Sequence, residues 1–296
     1  MLDGEEARAP RTKSYRLPVD GLQLHVLEYP AGETASEARA AGNVLLLHGG
    51  MAHARWWDFV APLLAPVARV FALDRRGHGD SDWAPAGGYG WGRDLLDAET
   101  TMAILDDRPW TLVGHSQGGL QTVSLARRSN ASIRALALVD VPLHPASRRL
   151  MKAGRSFTRI RQVRYPSLDA AIRGFRPFPV PHHIAAPVLR YIARASFKPT
   201  EDGAFTSKFD WQVFQQSRGA GENPLADFPG QVASLPMPTL VLRGGESSIL
   251  TADDHAQMVA SLRNGSGHVV PHATHSLHAE APEAVAGAIR EFLLAL

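Results

Sequence analysis

Short apolar segments without polar interruption recur along this chain, and they constrain its fold more than any other feature. Buried strands of a parallel sheet have this character, because helices cover both faces of such a sheet. Stretches of helical length separate the segments, and this alternation predicts an α/β fold with a mostly parallel, doubly wound sheet. The predicted strands are Val44–His48, Arg69–Asp74, Trp110–His115, Ile133–Asp140, Thr239–Arg243 and the weaker Gly267–Val270. The predicted helices are Arg55–Pro66, Gly92–Asp106, Gln117–Arg128, Ala252–Leu262 and Pro282–Leu296.

The beginning of the chain follows a different pattern. Residues 1–13 mix acidic groups, arginines and proline, which predicts a flexible tail. Two β-like segments follow, Tyr15–Val19 and Leu22–Glu28, and the Asp20-Gly21 pair between them is typical of a hairpin turn. We therefore expect an antiparallel hairpin ahead of the alternating elements.

One long stretch, residues 142–229, interrupts the alternation. It contains no clear buried strand, and it is rich in arginine, proline and aromatic residues. The strand pattern resumes at Thr239, so we interpret the stretch as a helical cap inserted into a core made of residues 14–141 and 230–296. Helices are expected within it at Ser147–Arg161, Leu168–Phe175 and Ala185–Ala195.

Composition narrows the classes of function. The 296 residues carry a formal net charge of only +2, which does not favour a nucleic-acid partner. The absence of cysteine excludes disulfides and thiolate catalysis. The first residues lack the apolar segment of a secretory signal, and no apolar run approaches the roughly 20 residues of a membrane helix. We expect a cytoplasmic protein without a membrane partner.

The sequence around Ser116 predicts a strand, a tight turn and a helix. The sequence Gly114-His115-Ser116-Gln117-Gly118 follows the predicted strand Trp110–His115 and opens the next predicted helix. This context gives the G-x-S-x-G pattern its meaning, because the glycines permit a sharp turn that lifts the serine hydroxyl clear of the backbone. Ser116 is therefore predicted to be a nucleophile.

Three further segments, together with the elbow at Ser116, make the chain resemble the α/β-hydrolase superfamily over most of its length. They are His48-Gly49-Gly50-Met51, Asp74-Arg75-Arg76-Gly77-His78-Gly79-Asp80-Ser81, and Pro271-His272-Ala273-Thr274-His275. The resemblance implies that the charged groups of the second segment tie a loop together, and that His48 has a structural role.

The resemblance also implies an oxyanion hole and a general base. The backbone N–H groups of Gly50, with Met51 as the alternative, and of Gln117 fall at the positions of the oxyanion donors. His275 falls at the position of the base, although the two glycines that usually precede it are absent. The order Ser…Asp/Glu…His along the chain is satisfied. No carboxylate motif accompanies the histidines at positions 272, 275 and 278, so no metal site and no cofactor are predicted.

The acid that orients His275 has several candidates. Most members of the superfamily place an aspartate after the strand at Thr239–Arg243, where this chain has Ser247 and Ser248. Asp140, at the end of the preceding strand, is the first candidate, and Glu246 is the second. Asp253 and Asp254 remain as further candidates, with a helix-capping role as their alternative.

These residues together imply acyl transfer by a serine hydrolase that acts on an ester or lactone of a small, apolar or aromatic substrate. Trp56, Trp57, Phe178 and Trp211 are candidate pocket residues, each with core packing as its alternative. Three other functions stay open on the same fold: cleavage of a C–C bond beside a carbonyl, cofactor-free dioxygenation, and ligand binding by a non-catalytic receptor. No pattern in the sequence predicts the oligomeric state.

Overall fold

The computed structural model describes residues 7–30, 42–128, 132–144, 162–179, 183–213 and 225–296. The strands in this part of the chain are β1 (Lys13–Val19), β2 (Leu22–Tyr29), β3 (Asn43–Leu47), β4 (Arg69–Leu73), β5 (Trp110–His115), β6 (Ile133–Val139), β7 (Arg164–Tyr165), β8 (Phe197–Pro199), β9 (Phe205–Ser207), β10 (Thr239–Gly244) and β11 (Gly265–Val270). The helices are α1 (Ala61–Leu64), α2 (Trp91–Leu105), α3 (Gln117–Arg128), α4 (Leu168–Gly174), α5 (Ala186–Ala195), α6 (Phe228–Ala233), α7 (Ala252–Ser261), α8 (Leu277–Glu280) and α9 (Pro282–Leu294).

Eight strands form the central sheet, in the order β1-β2-β4-β3-β5-β6-β10-β11. The β1–β2 and β2–β4 pairs are antiparallel, and every other neighbouring pair in this sheet is parallel. The predicted hairpin and the predicted doubly wound sheet are both confirmed. Strands β3 and β5 are buried along their whole length, which is why their sequences show no polar alternation.

The segment predicted as one helix at Arg55–Pro66 is divided in the structure. A 3₁₀ turn covers Ala54–Trp57, and α1 is a single short helix that begins at Ala61. Proline lacks an N–H donor and is tolerated only in the first turn of a helix. Pro62 sits in the first turn of α1, so the helix begins there and does not extend back through the preceding turn.

The insertion between β6 and β10 is more than a set of helices. The helices predicted at Leu168–Phe175 and Ala185–Ala195 are confirmed as α4 and α5, whereas Ser147–Arg161 lies outside the described residues. Strands β7, β9 and β8 form a small antiparallel sheet that was not expected from the sequence. Each of these strands has two or three residues, which is too short to produce a periodic pattern. The proposed domain boundaries stay predictions, and α6 crosses the one placed at residue 229.

A buried carboxylate joins the insertion to the sheet. Asp58 follows the 3₁₀ turn and is 2% exposed. It accepts hydrogen bonds from the hydroxyl of Tyr29 on β2, at 2.5 Å, and from the hydroxyl of Tyr191 on α5. Arg55 Nη1 lies 3.3 Å from the same carboxylate. These donors compensate the lost hydration of Asp58, so α5 is held to the core by polar contacts as well as by packing.

Within the described part of the chain, every helix is too short or too polar to cross a membrane.

Candidate active site

Ser116 lies at the sharp turn between β5 and α3. Its backbone has φ of 51°, in the left-handed region that residues other than glycine rarely adopt. The Ser116 N–H donates to the Val139 carbonyl at 3.0 Å, and the Ser116 carbonyl accepts from the N–H groups of Gly119 and Leu120. The strained conformation is therefore held by β6 on one side and by the first turn of α3 on the other.

Two glycines of the turn are required by close contacts. A Cβ atom on Gly114 would lie 2.4 Å from Thr122 Oγ1, and one on Gly118 would lie 2.3 Å from the Leu47 carbonyl oxygen. Both distances are far shorter than van der Waals contact. The spacing of glycines around Ser116 therefore follows from how tightly α3 packs against β3 and β5.

His275 and Asp140 are joined by a short hydrogen bond. His275 Nδ1–H donates to Asp140 Oδ2 at 2.7 Å, and Asp140 is fully buried. Asp140 is the residue directly after β6, with φ of 49°, and its N–H donates to the Leu242 carbonyl at 2.8 Å. With its Nδ1 proton engaged in this way, the Nε2 atom of His275 is the nitrogen that can accept a proton. The structure thus places the first acid candidate against the predicted base.

Ser247 occupies the position where the superfamily usually has its aspartate, and it supports Asp140 instead. The Ser247 hydroxyl donates to Asp140 Oδ2 at 2.6 Å, and the Gly244 N–H donates to Asp140 Oδ1 at 3.0 Å. With His275, these groups give the buried carboxylate three donors, as a charge removed from water requires. In the sequence alone, Ser247 is visible only as the absence of the usual aspartate.

The other acid candidates lie elsewhere. Glu246 is exposed and contacts His183 Nε2 at 3.3 Å and His272 Nδ1 at 3.4 Å, rather than His275. The hydrogen bond from His183, followed by that from His272, lowers the pKa of Glu246. Asp253 and Asp254 are in the first turn of α7, where Thr251 caps the helix by accepting the Asp254 N–H. The prediction of Glu246 as an alternative orienting acid is therefore wrong for this geometry, because its carboxylate faces solvent and two other imidazoles.

The two segments that carry the predicted oxyanion donors lie next to each other, close to Ser116. Gly50 and Met51 line the same cavity as Ser116, and Met51 has φ of 60°. The side-chain oxygen of Gln117 lies 2.8 Å from the place a Cβ of Gly50 would take. Gln117 is the first residue of α3, so its N–H has no acceptor within the helix and adds to the positive end of the helix dipole. Two backbone donors can thus converge on charge that develops near Ser116.

His48 anchors the loop that carries Gly50. Its Nε2 accepts from the Arg75 N–H at 3.2 Å, so the proton is on Nδ1, which donates to the Gly49 carbonyl at 2.8 Å. Complete burial lowers the pKa of His48 to about 3, so the ring is neutral. The predicted structural role of His48 agrees with these contacts.

The remaining histidines near Ser116 differ in exposure: the ring of His115 packs against those of His275 and His278, at 4.6 and 4.2 Å between centroids, whereas His272 lies at the surface. The side chain of His272 is 90% exposed, whereas His278 is buried, and burial lowers the pKa of His278 to about 3. His115 Nε2–H donates to the His275 carbonyl at 2.8 Å and so holds the backbone that carries the predicted base. No local pattern predicts this role of His115, since the contact joins residues 160 positions apart.

A cavity of about 230 Å³ opens between the carboxyl ends of the strands and the insertion. Ser116, His275 and Gly50 are among the residues that line it, and aromatic side chains form much of the wall. The predicted pocket residues Trp56, Phe178 and Trp211 are among the lining residues. The further aromatic lining residues are Tyr165, Phe175, Phe197 and Phe209.

Trp57 was also predicted to line the pocket, and this prediction is wrong. Trp57 is fully buried in the core, where its ring lies 4.8 Å from the ring of His278. Successive residues of a 3₁₀ turn project about 120° apart, because the turn has three residues. Trp56 and Trp57 therefore face different sides, and only Trp56 reaches the cavity.

Comparison with known proteins identifies the family of this chain. The sequence profile of the alpha/beta hydrolase fold family matches residues 42–282. The chain is 28% identical over 273 residues to esterase Rv0045c of Mycobacterium tuberculosis, covering 86% of this chain and 83% of that protein. It is 23% identical over 275 residues to 2-hydroxy-6-oxo-6-(2'-aminophenyl)hexa-2,4-dienoic acid hydrolase of Metapseudomonas resinovorans, covering 87% and 86%. The crystal structure of E-2-(acetamidomethylene)succinate hydrolase superposes with a TM-score of 0.76 at 23% identity, covering 96% of this chain and 99% of that one.

This chain belongs to the α/β hydrolase fold family. Esterases are among its relatives, as are hydrolases whose names specify other substrates.

Proposed function

We propose that this protein is a serine hydrolase that cleaves an ester or lactone of a small, apolar or aromatic substrate through an acyl-enzyme on Ser116. One observation carries the proposal: Ser116 and His275 line one cavity, and the buried Asp140 accepts the Nδ1 proton of His275 at 2.7 Å. The similarity to an esterase over most of both chains supports the same class of reaction.

The proposed reaction has two half-steps. His275 Nε2 takes the Ser116 hydroxyl proton while the oxygen attacks the carbonyl carbon, and the N–H groups of Gly50 and Gln117 stabilise the oxyanion. The intermediate collapses, the C–O bond breaks, and the leaving alcohol takes the proton from His275. Water, deprotonated by His275, then attacks the acyl-enzyme and releases the acid, which restores the Ser116 hydroxyl.

The cavity supports a small substrate with an apolar part. Its volume of about 230 Å³ is below the range of about 300–1,000 Å³ that is typical of pockets for drug-sized ligands. Aromatic side chains on the insertion, including Phe178 and Trp211, give the wall an apolar face. We expect short acyl groups or small aromatic esters to be preferred over long-chain esters.

A fluorophosphonate probe and p-nitrophenyl acetate test the proposal. We expect stoichiometric labelling of Ser116 in the folded protein and hydrolysis that disappears in Ser116→Ala. Ser124→Ala is a matched control, since Ser124 lies on the same helix but does not line the cavity. A folded wild-type protein that is neither labelled nor active would refute acyl transfer and favour a receptor or a cofactor-free oxygenase.

A second candidate function is cleavage of a C–C bond beside a carbonyl in a substrate that carries a carboxylate. Arg176 and Lys208 line the cavity, and among the described lining residues there is no aspartate or glutamate. Lys208 Nζ also lies 2.6 Å from Asp80. The named substrate of the Metapseudomonas relative is such an acid. If that acid is consumed much faster than p-nitrophenyl esters, and Arg176→Gln raises KM for the acid alone, the second function replaces the first.

A further inference from the structure

The orientation of one peptide group decides whether Gly50 can act as an oxyanion donor. The Gly49 carbonyl and the Gly50 N–H belong to the same peptide unit, which is planar and trans, so they point in opposite directions. Whatever holds the Gly49 oxygen on one side therefore directs the Gly50 N–H to the other side. Rotation of this unit would replace the donor by a carbonyl oxygen and would repel a developing oxyanion.

Two side-chain donors hold the Gly49 carbonyl. His48 Nδ1–H donates to it at 2.8 Å, and Arg75 Nη2 donates at 3.0 Å. Arg75 also fixes the tautomer of His48, since the Arg75 backbone N–H donates to His48 Nε2. Residue 75 thus acts on the Gly49 oxygen in two ways: directly through the guanidinium, and indirectly through a backbone N–H that a side-chain substitution would leave in place.

The surroundings of Arg75 are unusual for a structural arginine. Its side chain is 2% exposed, and its Nη1 lies 3.7 Å from the Asp94 carboxylate, longer than a direct hydrogen bond. Within the described residues, its Nε and Nη1 atoms have no hydrogen-bond partner. The shortest contact of this guanidinium is the one to the Gly49 carbonyl, while its Nη2 also lies 3.4 Å from His78 Nε2.

The next residue provides a comparison. The side chain of Arg76 is equally buried, but its guanidinium is paired with Asp97 through two hydrogen bonds of 2.6 Å. Burying a charge costs free energy unless it is paired. Arg76 meets this requirement, whereas Arg75 is only loosely paired and directs its best donor at the loop that carries Gly50.

We propose that Arg75 is a positioning residue that orients the Gly49–Gly50 peptide so that the Gly50 N–H faces the oxyanion. The inference rests on the proposed function. The Arg75 guanidinium does not touch the substrate. Its positive charge also lies behind the peptide, where it polarises the carbonyl and strengthens the N–H donor at the other end.

The test compares Arg75→Met with Arg76→Met, since both changes remove an equally buried guanidinium from adjacent residues. Endpoint labelling with a fluorophosphonate counts the functional sites, and kcat and KM are then measured with p-nitrophenyl acetate. The affinity for an aryl boronic acid, which forms a tetrahedral adduct on serine, is the readout specific to the oxyanion hole.

We expect Arg75→Met to lower kcat per labelled site by about 10- to 100-fold and to weaken boronate binding by a similar factor, with KM nearly unchanged. This is below the 10²- to 10³-fold loss for complete removal of an oxyanion donor, because His48 still holds the carbonyl. Arg76→Met should lower the melting temperature but leave kcat per site and boronate affinity within about threefold of wild type.

Arg75→Lys is the second variant, which keeps the charge in case Arg75→Met does not fold. Its single ammonium cannot reproduce the fork of the guanidinium, so we expect a smaller loss of about tenfold in kcat and boronate affinity. If Arg75→Met, or Arg75→Lys where Arg75→Met is unfolded, binds boronate as tightly as wild type, the inference is overturned. Equal losses in Arg75→Met and Arg76→Met would also overturn it. A wild-type protein that is neither labelled nor active would instead refute the proposed function itself.

Discussion

Replacing Asp140 by asparagine tests which acid orients His275, and the structure predicts the consequence in detail. Asparagine is nearly isosteric with aspartate and tolerates the left-handed backbone at this position, where φ is 49°. The Gly244 N–H needs an acceptor, so the amide oxygen is expected to remain where Oδ1 now accepts that donor at 3.0 Å. The amide NH₂ then takes the place of Oδ2 and faces His275 Nδ1, which must become an acceptor.

His275 would therefore carry its proton on Nε2, which is the wrong tautomer for a base that must accept from Ser116. The same exchange in a serine protease triad lowers kcat by about 10⁴-fold. At about 1.36 kcal/mol for each factor of ten, the expected increase in the activation free energy is about 5.5 kcal/mol. KM should change little, because Asp140 is fully buried and is not among the residues that line the cavity.

The assay is the steady-state hydrolysis of p-nitrophenyl acetate by Asp140→Asn, with Glu246→Gln as the matched control. Glu246 is exposed, and its contacts to His183 and His272 are 3.3 and 3.4 Å long, so its amide should retain kcat within about twofold. Circular dichroism of both variants checks that they are folded. The reasoning is refuted if Asp140→Asn stays within tenfold of wild type while Glu246→Gln loses 10²-fold or more.

Three further predictions concern stability. Ser247→Ala should lower the free energy of unfolding by about 1.5–3 kcal/mol, because it removes a 2.6 Å donor from the buried Asp140 carboxylate. Urea denaturation measures the change, and a loss below about 0.5 kcal/mol would contradict the prediction. Gly118→Ala should lower the melting temperature or prevent folding, since the new Cβ would lie 2.3 Å from a main-chain carbonyl oxygen. The control is Gly287→Ala on the open face of α9, which should raise the free energy of unfolding by up to about 1 kcal/mol. Burial raises the pKa of Asp94 to about 6. Between about pH 4 and pH 6 the folded state therefore holds a proton on Asp94 that the unfolded state has lost. The free energy of unfolding of the wild type should fall relative to that of Asp94→Asn as pH rises through this range. Parallel curves of unfolding free energy against pH for these two proteins would show that Asp94 does not titrate in that range.

The sequence predicts the sheet well because the physical signal is local. Each buried strand is a run of apolar residues, and the elbow at Ser116 is a short pattern whose glycines are demanded by contacts within the same unit. The broken helix before β4 shows the limit of this approach. Pro62 was visible in the sequence, but the apolar residues around it match a helical period as well as they match two short turns.

The acid could be narrowed to candidates but not chosen from the sequence. The choice depends on β6 and β10 being neighbours in the sheet, which brings Asp140 within 2.6 Å of Ser247, 107 residues later. Glu246 is adjacent to Ser247 in the chain, yet its side chain points to the surface. A prediction from local pattern alone cannot separate two carboxylates whose difference is the direction they face.

The roles of Arg75 and His115 could not be found by pattern for the same reason. The charged loop from Asp74 to Ser81 was expected to tie itself together, and His78 and Asp74 do make such contacts. The contact from Arg75 reaches a different loop, 26 residues earlier, through a single guanidinium nitrogen. Only the fold shows which of the two adjacent arginines meets a carboxylate at short distance and which meets a carbonyl.

The three proposed catalytic residues differ in how their backbones are hydrogen-bonded. Ser116 and Asp140 are bonded within the central sheet, whereas His275 is not. Each of the two residues donates its N–H to the neighbouring strand, Ser116 to Val139 and Asp140 to Leu242, so both continue the ladders at the centre of the sheet. His275 lies on a loop after β11, at the edge of the sheet, and its backbone is tied by the side chain of His115. We therefore expect amide hydrogen exchange to be slower at Ser116 and Asp140, whose N–H groups are bonded within the sheet, than in the loop that carries His275.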